Sequence, residues 1–385
     1  MLRLFLVSLI FISFLIFNQK VVNESFGENN PTESSDSKDE PNDFFYYQRS
    51  YPNKTFAVNA YKAAMDVAAT PISERGLDNI STTSWKLQGP GNIGARVNDI
   101  AIHPKNNQIA YIGFSCGGIF KTQDGGKNWK PIFDENSYLS IGDITLDPQH
   151  PDTLYVGTGD PNISSNPFVG NGIFRSKDGG NTWESLGLSN VGIISKIAIN
   201  PLNTNIIYVA TMGSPFVRDS NRGLYKSTDG GKTWVNVLFL SNQAGIIDMV
   251  MNPLDPNIIY VSGWDRIRTN FESTTFGPNC KILKTVNGGA TWETLDTGLP
   301  TTNISRIGLT IDPTNPKILY TILIDTNFNL GGVFKTVNNG TSWFPIPTGE
   351  VNGLPSDLMG SPGFGWYFGK IVLNPNNTKE VYILG

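Results

Sequence analysis

The sequence has few charged residues and almost no cysteine or histidine. Charged residues make up 16% of the 385 residues, with two cysteines and two histidines. A net charge of −4 leaves no basic excess for the phosphates of a nucleic acid, so nucleic-acid binding is not expected. No spacing typical of a zinc site, a haem or a phosphate-binding loop occurs, so neither a metal nor a cofactor is expected.

The chain also lacks an apolar run long enough for a permanent membrane span. Its longest run, from Leu4 to Phe17, has 14 residues, and a spanning helix needs roughly 20. Because the run follows Arg3 at the amino terminus, residues 1–20 are predicted to be a signal peptide. An uncleaved anchor is the alternative, since no small-residue cleavage site follows, and it would be the only contact with a membrane. Both interpretations place the chain outside the cell or at its surface, which in a bacterium means the periplasm or the outer-membrane side.

Two further segments precede the main domain. Residues 21–43 are acidic, rich in Asn and Ser and nearly free of large apolar residues, so they are predicted to be a disordered linker. Residues 44–84 are predicted to be an amino-terminal extension with one short helix in the stretch from Val58 to Ala69. This extension is expected to pack on the outside of the main domain.

Glycine, proline and aromatic residues are abundant, and they occur in repeats. The 40 glycines and 24 prolines are typical of many short strands joined by tight turns. An eight-residue segment recurs five times, and the spacings between its final tryptophans are 54, 51, 58 and 51 residues. A second marker, a proline followed seven residues later by tyrosine, recurs six times in the same phase, from Pro104 and Tyr111 to Pro375 and Tyr382.

Each repeat is predicted to form four short strands, which is the size of one β-propeller blade. In the second repeat the strands are predicted at residues 141–146, 153–158, 172–176 and 182–186. Residues 85–385 are therefore predicted to be an all-β propeller with five complete blades and an incomplete sixth. Residues 85–88 would supply the outer strand of the sixth blade and the carboxy terminus its inner strands. Truncation of a longer protein is preferred to a defective closing blade, because an open blade exposes a strand edge.

The recurring segment combines an acid or amide with glycine and a final tryptophan. Its residues are Asp124 and Trp129, Asp178 and Trp183, Asp229 and Trp234, Asn287 and Trp292, and Asn338 and Trp343. The segment resembles the BNR or Asp-box repeat of sialidases, xyloglucan-cleaving glycoside hydrolases and sortilin-type receptors, over residues 85–385. A carboxylate or amide can accept hydrogen bonds from the backbone of its own turn. Because the change from Asp to Asn removes the charge that catalysis or Ca²⁺ binding would need, these residues are predicted to be structural.

In a propeller the Asp-box hairpins lie on one face, so a ligand site is expected in the variable loops of the opposite face. The candidate ligand-binding residues are Arg96, Asp160, Trp264, Asp265, Arg266, Trp366 and Tyr367. Trp264 and Trp366 could form an aromatic platform for a sugar or peptide, or could simply cap the ends of blades. Arg96 could point into the central channel, or form a structural ion pair with an acid such as Asp99.

No catalytic residue is assigned from the sequence. An Arg-Ile-Pro motif of the sialidase type is absent, and Phe114-Ser115-Cys116 precedes Gly117-Gly118 where the resemblance to xyloglucanases implies an aspartate. The predicted function is that of an exported, non-catalytic propeller that binds a glycan, a peptide or a partner protein. The alternative is a xyloglucanase-like glycoside hydrolase, or a fragment of one, acting on cell-wall polysaccharide. That alternative requires converging carboxylates, for which Asp160, Asp265 and Asp325 are the candidates.

Overall fold

The computed structural model describes residues 48–52, 57–69, 96–164, 167–269, 271–351, 354–355, 359 and 363–384. The predicted signal peptide, the predicted acidic linker and the predicted outer strand at residues 85–88 lie outside this part of the chain. Within the described residues, no helix is both long enough and apolar enough to cross a membrane.

Short antiparallel strands dominate residues 96–384. Five sheets contain four strands each, and the strands follow chain order from one edge of the sheet to the other. These strands are β1 (Val97–Ile102), β2 (Ala110–Phe114), β3 (Ile119–Thr122) and β4 (Lys130–Pro131) in sheet 1; β5 (Ile141–Leu146), β6 (Leu154–Thr158), β7 (Ile173–Ser176) and β8 (Glu184–Ser185) in sheet 2; β9 (Ile194–Ile199), β10 (Ile207–Thr211), β11 (Gly223–Ser227) and β12 (Val235–Leu238) in sheet 3; β13 (Ala244–Met251), β14 (Ile259–Asp265), β17 (Ile282–Thr285) and β18 (Glu293–Leu295) in sheet 4; and β19 (Ile304–Ile311), β20 (Leu319–Asp325), β21 (Leu330–Thr336) and β22 (Phe344–Ile346) in sheet 5.

Smaller elements complete the described residues. Sheet 6 pairs the last two strands, and two hairpins and two helices lie in the connections between sheets or before them. These elements are β25 (Lys370–Leu373) with β26 (Val381–Leu384) in sheet 6, the hairpins β15 (Ile267–Arg268) with β16 (Ser273–Thr274) and β23 (Glu350–Val351) with β24 (Leu354–Pro355), and the helices α1 (Val58–Ala69) and α2 (Gly365–Phe368).

Each four-stranded sheet corresponds to one sequence repeat. The first strand of each sheet contacts the first strand of the next, in the order β1, β5, β9, β13, β19 and β25. The amine of Lys370 on β25 donates to the carbonyl of Asn98 on β1 at 2.8 Å, so the two ends of this series meet. The predicted fourth strand of the second repeat, residues 182–186, is shorter in the structure because Thr182 belongs to the preceding turn.

Hydrogen bonds in the hairpins between third and fourth strands explain the recurring segment. The Thr182 amide and hydroxyl donate to the two carboxylate oxygens of Asp178 at 2.9 and 2.6 Å. In the fourth repeat the direction reverses, because the Asn287 amide group donates to the Thr291 hydroxyl at 2.8 Å while its oxygen accepts the Thr291 amide. Both side chains therefore close the same turn, which supports the structural role predicted for them.

Cations of the third strands tie neighbouring sheets together. The Lys121 amine donates to the Gly179 carbonyl of the next sheet at 2.8 Å, and the amine lies 5.5 Å from the centre of the Tyr111 ring. Lys226 forms the same bond with the Gly288 carbonyl at 2.8 Å. The hairpin of one sheet thus accepts a charge-assisted hydrogen bond from the sheet before it.

The recurring tryptophans add a second tie. The indoles of Trp183, Trp234 and Trp292 donate to carbonyls of the preceding sheet or its exit at 2.7, 2.9 and 3.1 Å. Trp129 instead donates to the Gly126 carbonyl of its own turn and is 37% exposed. Trp183, Trp234 and Trp292 therefore act as wedges between sheets.

The hairpins between third and fourth strands define the Asp-box face. The loops between second and third strands and those between sheets define the opposite side, here called the loop face. Helix α1 packs on the loop face, where Val58 and Tyr61 contact Val169 and Phe216. The amine of Lys62 also donates to the Ser189 carbonyl.

Candidate functional site

Side chains on the first strands line an axial cavity of about 250 Å³. The position five residues before the recurring proline supplies most of its charge. The charged residues at this position are Asp99, Asp143, Lys196, Asp248 and Lys370, and all of them line the cavity. The cavity therefore contains three carboxylates and two amines from five different strands.

Each carboxylate in the cavity is held by the sheet that follows it. Asp99 accepts the Ile144 amide at 2.8 Å, and Asp143 accepts the Ile197 amide at 3.0 Å. Burial raises the pKa of Asp99 to about 6, although the neighbouring Lys196 lowers it. Burial also lowers the pKa of Lys196, but Asp143 at 2.6 Å and the other acids outweigh this effect and raise it. The charged side chains that line the cavity thus form a network that joins the first strands of the sheets.

The segment 160–164 lies at the end of the cavity on the loop face. The buried Asp160 carboxylate pairs with Arg96 and accepts the Asn98 amide group at 3.1 Å. The Arg306 guanidinium donates to the Asn162 side-chain oxygen at 2.9 Å, a bond between sheet 5 and the loop of sheet 2. Ile163 is fully buried with φ at 46°, a strained conformation for a β-branched residue. Arg96 therefore forms the structural ion pair that was the alternative for it, and its partner is Asp160 rather than Asp99.

Five predicted site residues and Arg306 stack beside this segment, in what we call the arginine–aromatic cluster. The Trp264 ring lies 5.5 Å from the guanidinium carbons of both Arg266 and Arg306. Arg266 also lies 5.1 Å from the Trp366 ring, and Arg96 lies 5.0 Å from the ring of Tyr367. Such contacts are favourable where the cation is shielded from water.

The cluster is buried, which affects the predicted platform. Trp264 is 0%, Trp366 3% and Tyr367 7% exposed. The Trp264 indole donates to the Thr275 carbonyl at 2.7 Å, and Arg266 donates to the Ile163 carbonyl at 2.7 Å. These rings therefore do not form an open platform, and ligand contact by these residues stays a prediction. Among the predicted residues in the cluster, Arg96 is the most exposed, since one-third of its side chain is accessible to solvent.

The remaining candidate carboxylates are engaged by their own loops. Asp265 is fully buried and accepts bonds from the Gln243 side chain at 3.0 Å and the Asn279 amide at 2.8 Å. Asp325 accepts the backbone amides of Asn327 and Asn329 at 2.8 and 2.9 Å. Asp160, Asp265 and Asp325 share no hydrogen-bond partner among these contacts, and an acid pair between any two of them stays a prediction.

Comparisons with known proteins point to one group. A family model described as Sortilin-Vps10, for sortilin or neurotensin receptor 3, matches residues 171–307. The xyloglucanase Xgh74A of Acetivibrio thermocellus is 25% identical over 320 residues, covering 78% of this chain and 32% of that protein. A xyloglucanase of Hypocrea jecorina is 29% identical over 54% of this chain and 27% of that protein. The chain thus spans about a third or less of these relatives.

Solved structures agree on the fold. An ancestral GH74 enzyme has a TM-score of 0.57 at 18% identity, covering 77% of this chain and 35% of that one. The GH74 xyloglucanase of Xanthomonas campestris has a TM-score of 0.50 at 16% identity, covering 76% of this chain and 51% of that one. The chain is a β-propeller, similar in sequence to the xyloglucanases and, over residues 171–307, to the Sortilin-Vps10 family model. The predicted all-β propeller fold is confirmed, whereas its number of blades stays a prediction, and the propeller is glycoside hydrolase-like.

Two buried arginines of this propeller, Arg222 and Arg306, escaped the sequence analysis. Both are at most 4% exposed. Arg222 donates to the Val217 carbonyl at 2.7 Å and to two further carbonyls of its loop. Burial lowers the pKa of Arg222 and of Arg306 to about 10. The spacing of Arg306 gives no signal, because this arginine binds the Trp366 and Tyr367 carbonyls, which only the folded propeller brings near.

Two open grooves cross the loop face of the propeller. One, of about 630 Å³, lies between sheets 4 and 5 and has Phe276, Leu299 and Leu323 in its lining. The other, of about 520 Å³, lies between α1 and the loops of sheets 2 and 3, and we call it the α1 groove. Its polar lining comprises Asn59, Lys62, Asn190, Ser214, Asp219 and Asn221.

Proposed function

We propose that this propeller belongs to a glycoside hydrolase that acts on xyloglucan, and that the polysaccharide contacts the loop face. The observation that carries the proposal is the similarity to a xyloglucanase over 78% of the chain. We further propose export of the chain, because residues 1–20 have the pattern of a signal peptide and xyloglucan is a polysaccharide of the cell wall.

The distribution of polar groups supports the loop face as the binding face. On the Asp-box face, side chains such as Asp178 and Asn338 are used by their own turns. On the loop face, two grooves large enough for a small ligand open between variable loops. Arg96, one-third exposed beside the buried Asp160, lies at the loop-face end of the axial cavity.

A second candidate function is binding of xyloglucan without hydrolysis. Hydrolysis with inversion uses two carboxyl groups roughly 6.5–9.5 Å apart with room for a water between them. Asp160 and Asp265 are both 0% exposed and are held by arginine or amide partners. That commitment favours a role for these acids in shaping loops over a role in bond cleavage.

The two candidates are separated by one pair of measurements on the full chain. Affinity electrophoresis in gels containing xyloglucan measures binding, and release of reducing ends measures hydrolysis. Binding with hydrolysis supports the proposed enzyme, and binding without hydrolysis supports the second candidate. If the chain neither binds nor hydrolyses xyloglucan, both candidates are refuted, provided that circular dichroism shows the β-rich fold. Gels containing unrelated charged polysaccharides serve as the control for binding by charge alone.

A further inference from the structure

The α1 groove contains polar side chains that the protein itself does not use. Among the described residues, the side-chain amides of Asn59, Asn190 and Asn221 form no hydrogen bond with the protein, and all three line the groove. Asparagines in the recurring turns behave differently, since Asn200 and Asn252 each accept amides of their own turn. Asn59 and Asn190 are exposed and Asn221 is partly buried, so their uncommitted amides in the lining of the groove are accessible to a ligand.

Both walls of the groove contribute such groups. Asn59 belongs to α1, whereas Asn190 and Asn221 belong to the loops of sheets 2 and 3. Helix α1 is fixed there by the bond from Lys62 to the Ser189 carbonyl and by the bond from the Tyr138 hydroxyl to the Lys62 carbonyl at 3.4 Å. Without α1 the loops would form one open side of a groove, so the amino-terminal extension completes it.

The charges in the groove favour a neutral ligand. Lys62 and Asp219 are its ionisable lining residues, and they carry opposite charges. Burial lowers the pKa of Lys62, while Asp66 and Asp219 raise it. The Asp219 carboxylate already accepts the backbone amide of Asn221 at 3.0 Å. An ionic ligand would thus meet attraction and repulsion together, whereas a ligand with neutral hydroxyl groups could bind all these donors and acceptors.

The apolar part of the lining fits the same class of ligand. Val58 on α1 is half-buried and Val217 on the opposite wall is 41% exposed, and both line the groove. A pyranose ring presents hydroxyls at its edge and C–H groups on its faces, so it can use amides and a valine surface together. An apolar peptide side chain would leave the amides without partners, which costs binding free energy.

We propose that helix α1 and the loops of sheets 2 and 3 form a binding site for a neutral oligosaccharide. The proposal rests on the proposed function, because it assigns part of a xyloglucan chain to this groove. It gives the amino-terminal extension a direct role in the binding face. It also places the sugar contacts on Asn59, Asn190 and Asn221, away from the buried arginine–aromatic cluster.

The test uses three single variants of the full chain. Asn59→Ala removes an amide from α1, Asn221→Ala removes one from the opposite wall, and Asn327→Ala is the matched control. Asn327 is an exposed asparagine on the loop of sheet 5, outside the α1 groove. Affinity for xyloglucan oligosaccharides is measured by titration calorimetry, with thermal unfolding as a check on folding.

Loss of one hydrogen bond to a sugar hydroxyl should weaken binding by about 3- to 10-fold. We expect this for Asn59→Ala and for Asn221→Ala, with no change for Asn327→Ala. If wild type binds and both groove variants match the control, the inference is overturned and the proposed function stands. Stronger binding by Asn59→Ala would also overturn it, since α1 would then cover the ligand site. If wild type binds no xyloglucan oligosaccharide, the proposed function fails. If wild type also fails to bind cellohexaose and mannohexaose, the inference of a site for a neutral oligosaccharide is overturned as well.

Discussion

Replacing Trp264 with alanine should remove a large fraction of the folding stability. Trp264 is fully buried, and truncation of a buried tryptophan costs about 3–5 kcal/mol. The ring also lies 5.5 Å from two guanidinium groups, those of Arg266 and Arg306. Each such contact can contribute about 1–2 kcal/mol when water is excluded. We therefore expect a loss of at least about 4 kcal/mol, against about 5–15 kcal/mol for a whole domain.

Trp264→Phe should be much milder, because it keeps an aromatic ring between the two arginines. It removes the indole bond to the Thr275 carbonyl, but that carbonyl still accepts the Ser305 hydroxyl at 2.7 Å. No buried carbonyl is then left without a partner, so the expected cost is about 1–2 kcal/mol. The difference between the two variants measures the ring itself.

Urea unfolding followed by far-ultraviolet circular dichroism gives these free energies without relying on tryptophan fluorescence. Trp129→Ala is the matched control, since Trp129 is 37% exposed and its indole binds its own turn. We expect the control to lose less than Trp264→Ala by several kcal/mol. A Trp264→Ala variant within about 1 kcal/mol of wild type would refute the structural role argued here. If that variant were stable and lost xyloglucan binding, the predicted ligand platform would gain support.

Three further perturbations test contacts between the sheets and within a recurring turn. Lys121→Met keeps the side-chain length but loses the bond to the Gly179 carbonyl, and urea unfolding should show a loss of about 1–2 kcal/mol. In Asp99, burial raises the pKa to about 6, so ionisation opposes folding and stability should fall as pH rises from about 4 to 6; Asp99→Asn should flatten this slope in urea midpoints. In Asp178, bonds from Thr182 lower the pKa to about 2, so its contribution should be lost as pH falls from about 4 to 2, and Asp178→Asn should remove that acid sensitivity. If Asp99→Asn or Asp178→Asn left the dependence of stability on pH unchanged, the argument for that residue would be contradicted. A Lys121→Met variant as stable as wild type would contradict the argument for the bond to Gly179.

The repeats could be predicted because their chemistry is local. Asp178, Gly180 and Thr182 form their turn within one hairpin, so the sequence pattern alone indicates the hairpin. The paired markers then gave the number of strands in each repeat. The pattern overestimated the length of the fourth strand, because Thr182 hydrogen-bonds to Asp178 in the turn and does not pair with the neighbouring strand.

The environment of the candidate site could not be predicted in the same way. The sequence predicts that Trp264 is part of an aromatic platform or caps the end of a blade. In the structure it is buried in one cluster with Ile163 from the loop of sheet 2, and Arg266 donates to the Ile163 carbonyl. Arg96 finds Asp160 because Asp99 instead accepts an amide of the next sheet. These contacts join residues far apart in the chain, and no periodic pattern encodes them.

The bond between Lys370 and Asn98 has a consequence for the order of events during synthesis. The two residues are 272 positions apart in the chain. At about 5–20 residues per second, a ribosome needs roughly 14–54 s to make the intervening segment. During that time β1 lacks its neighbour β25, and its Ile100 and Ile102 side chains are exposed to solvent. Because the first sheet is made first, it is exposed to wrong strand partners for longer than the later sheets.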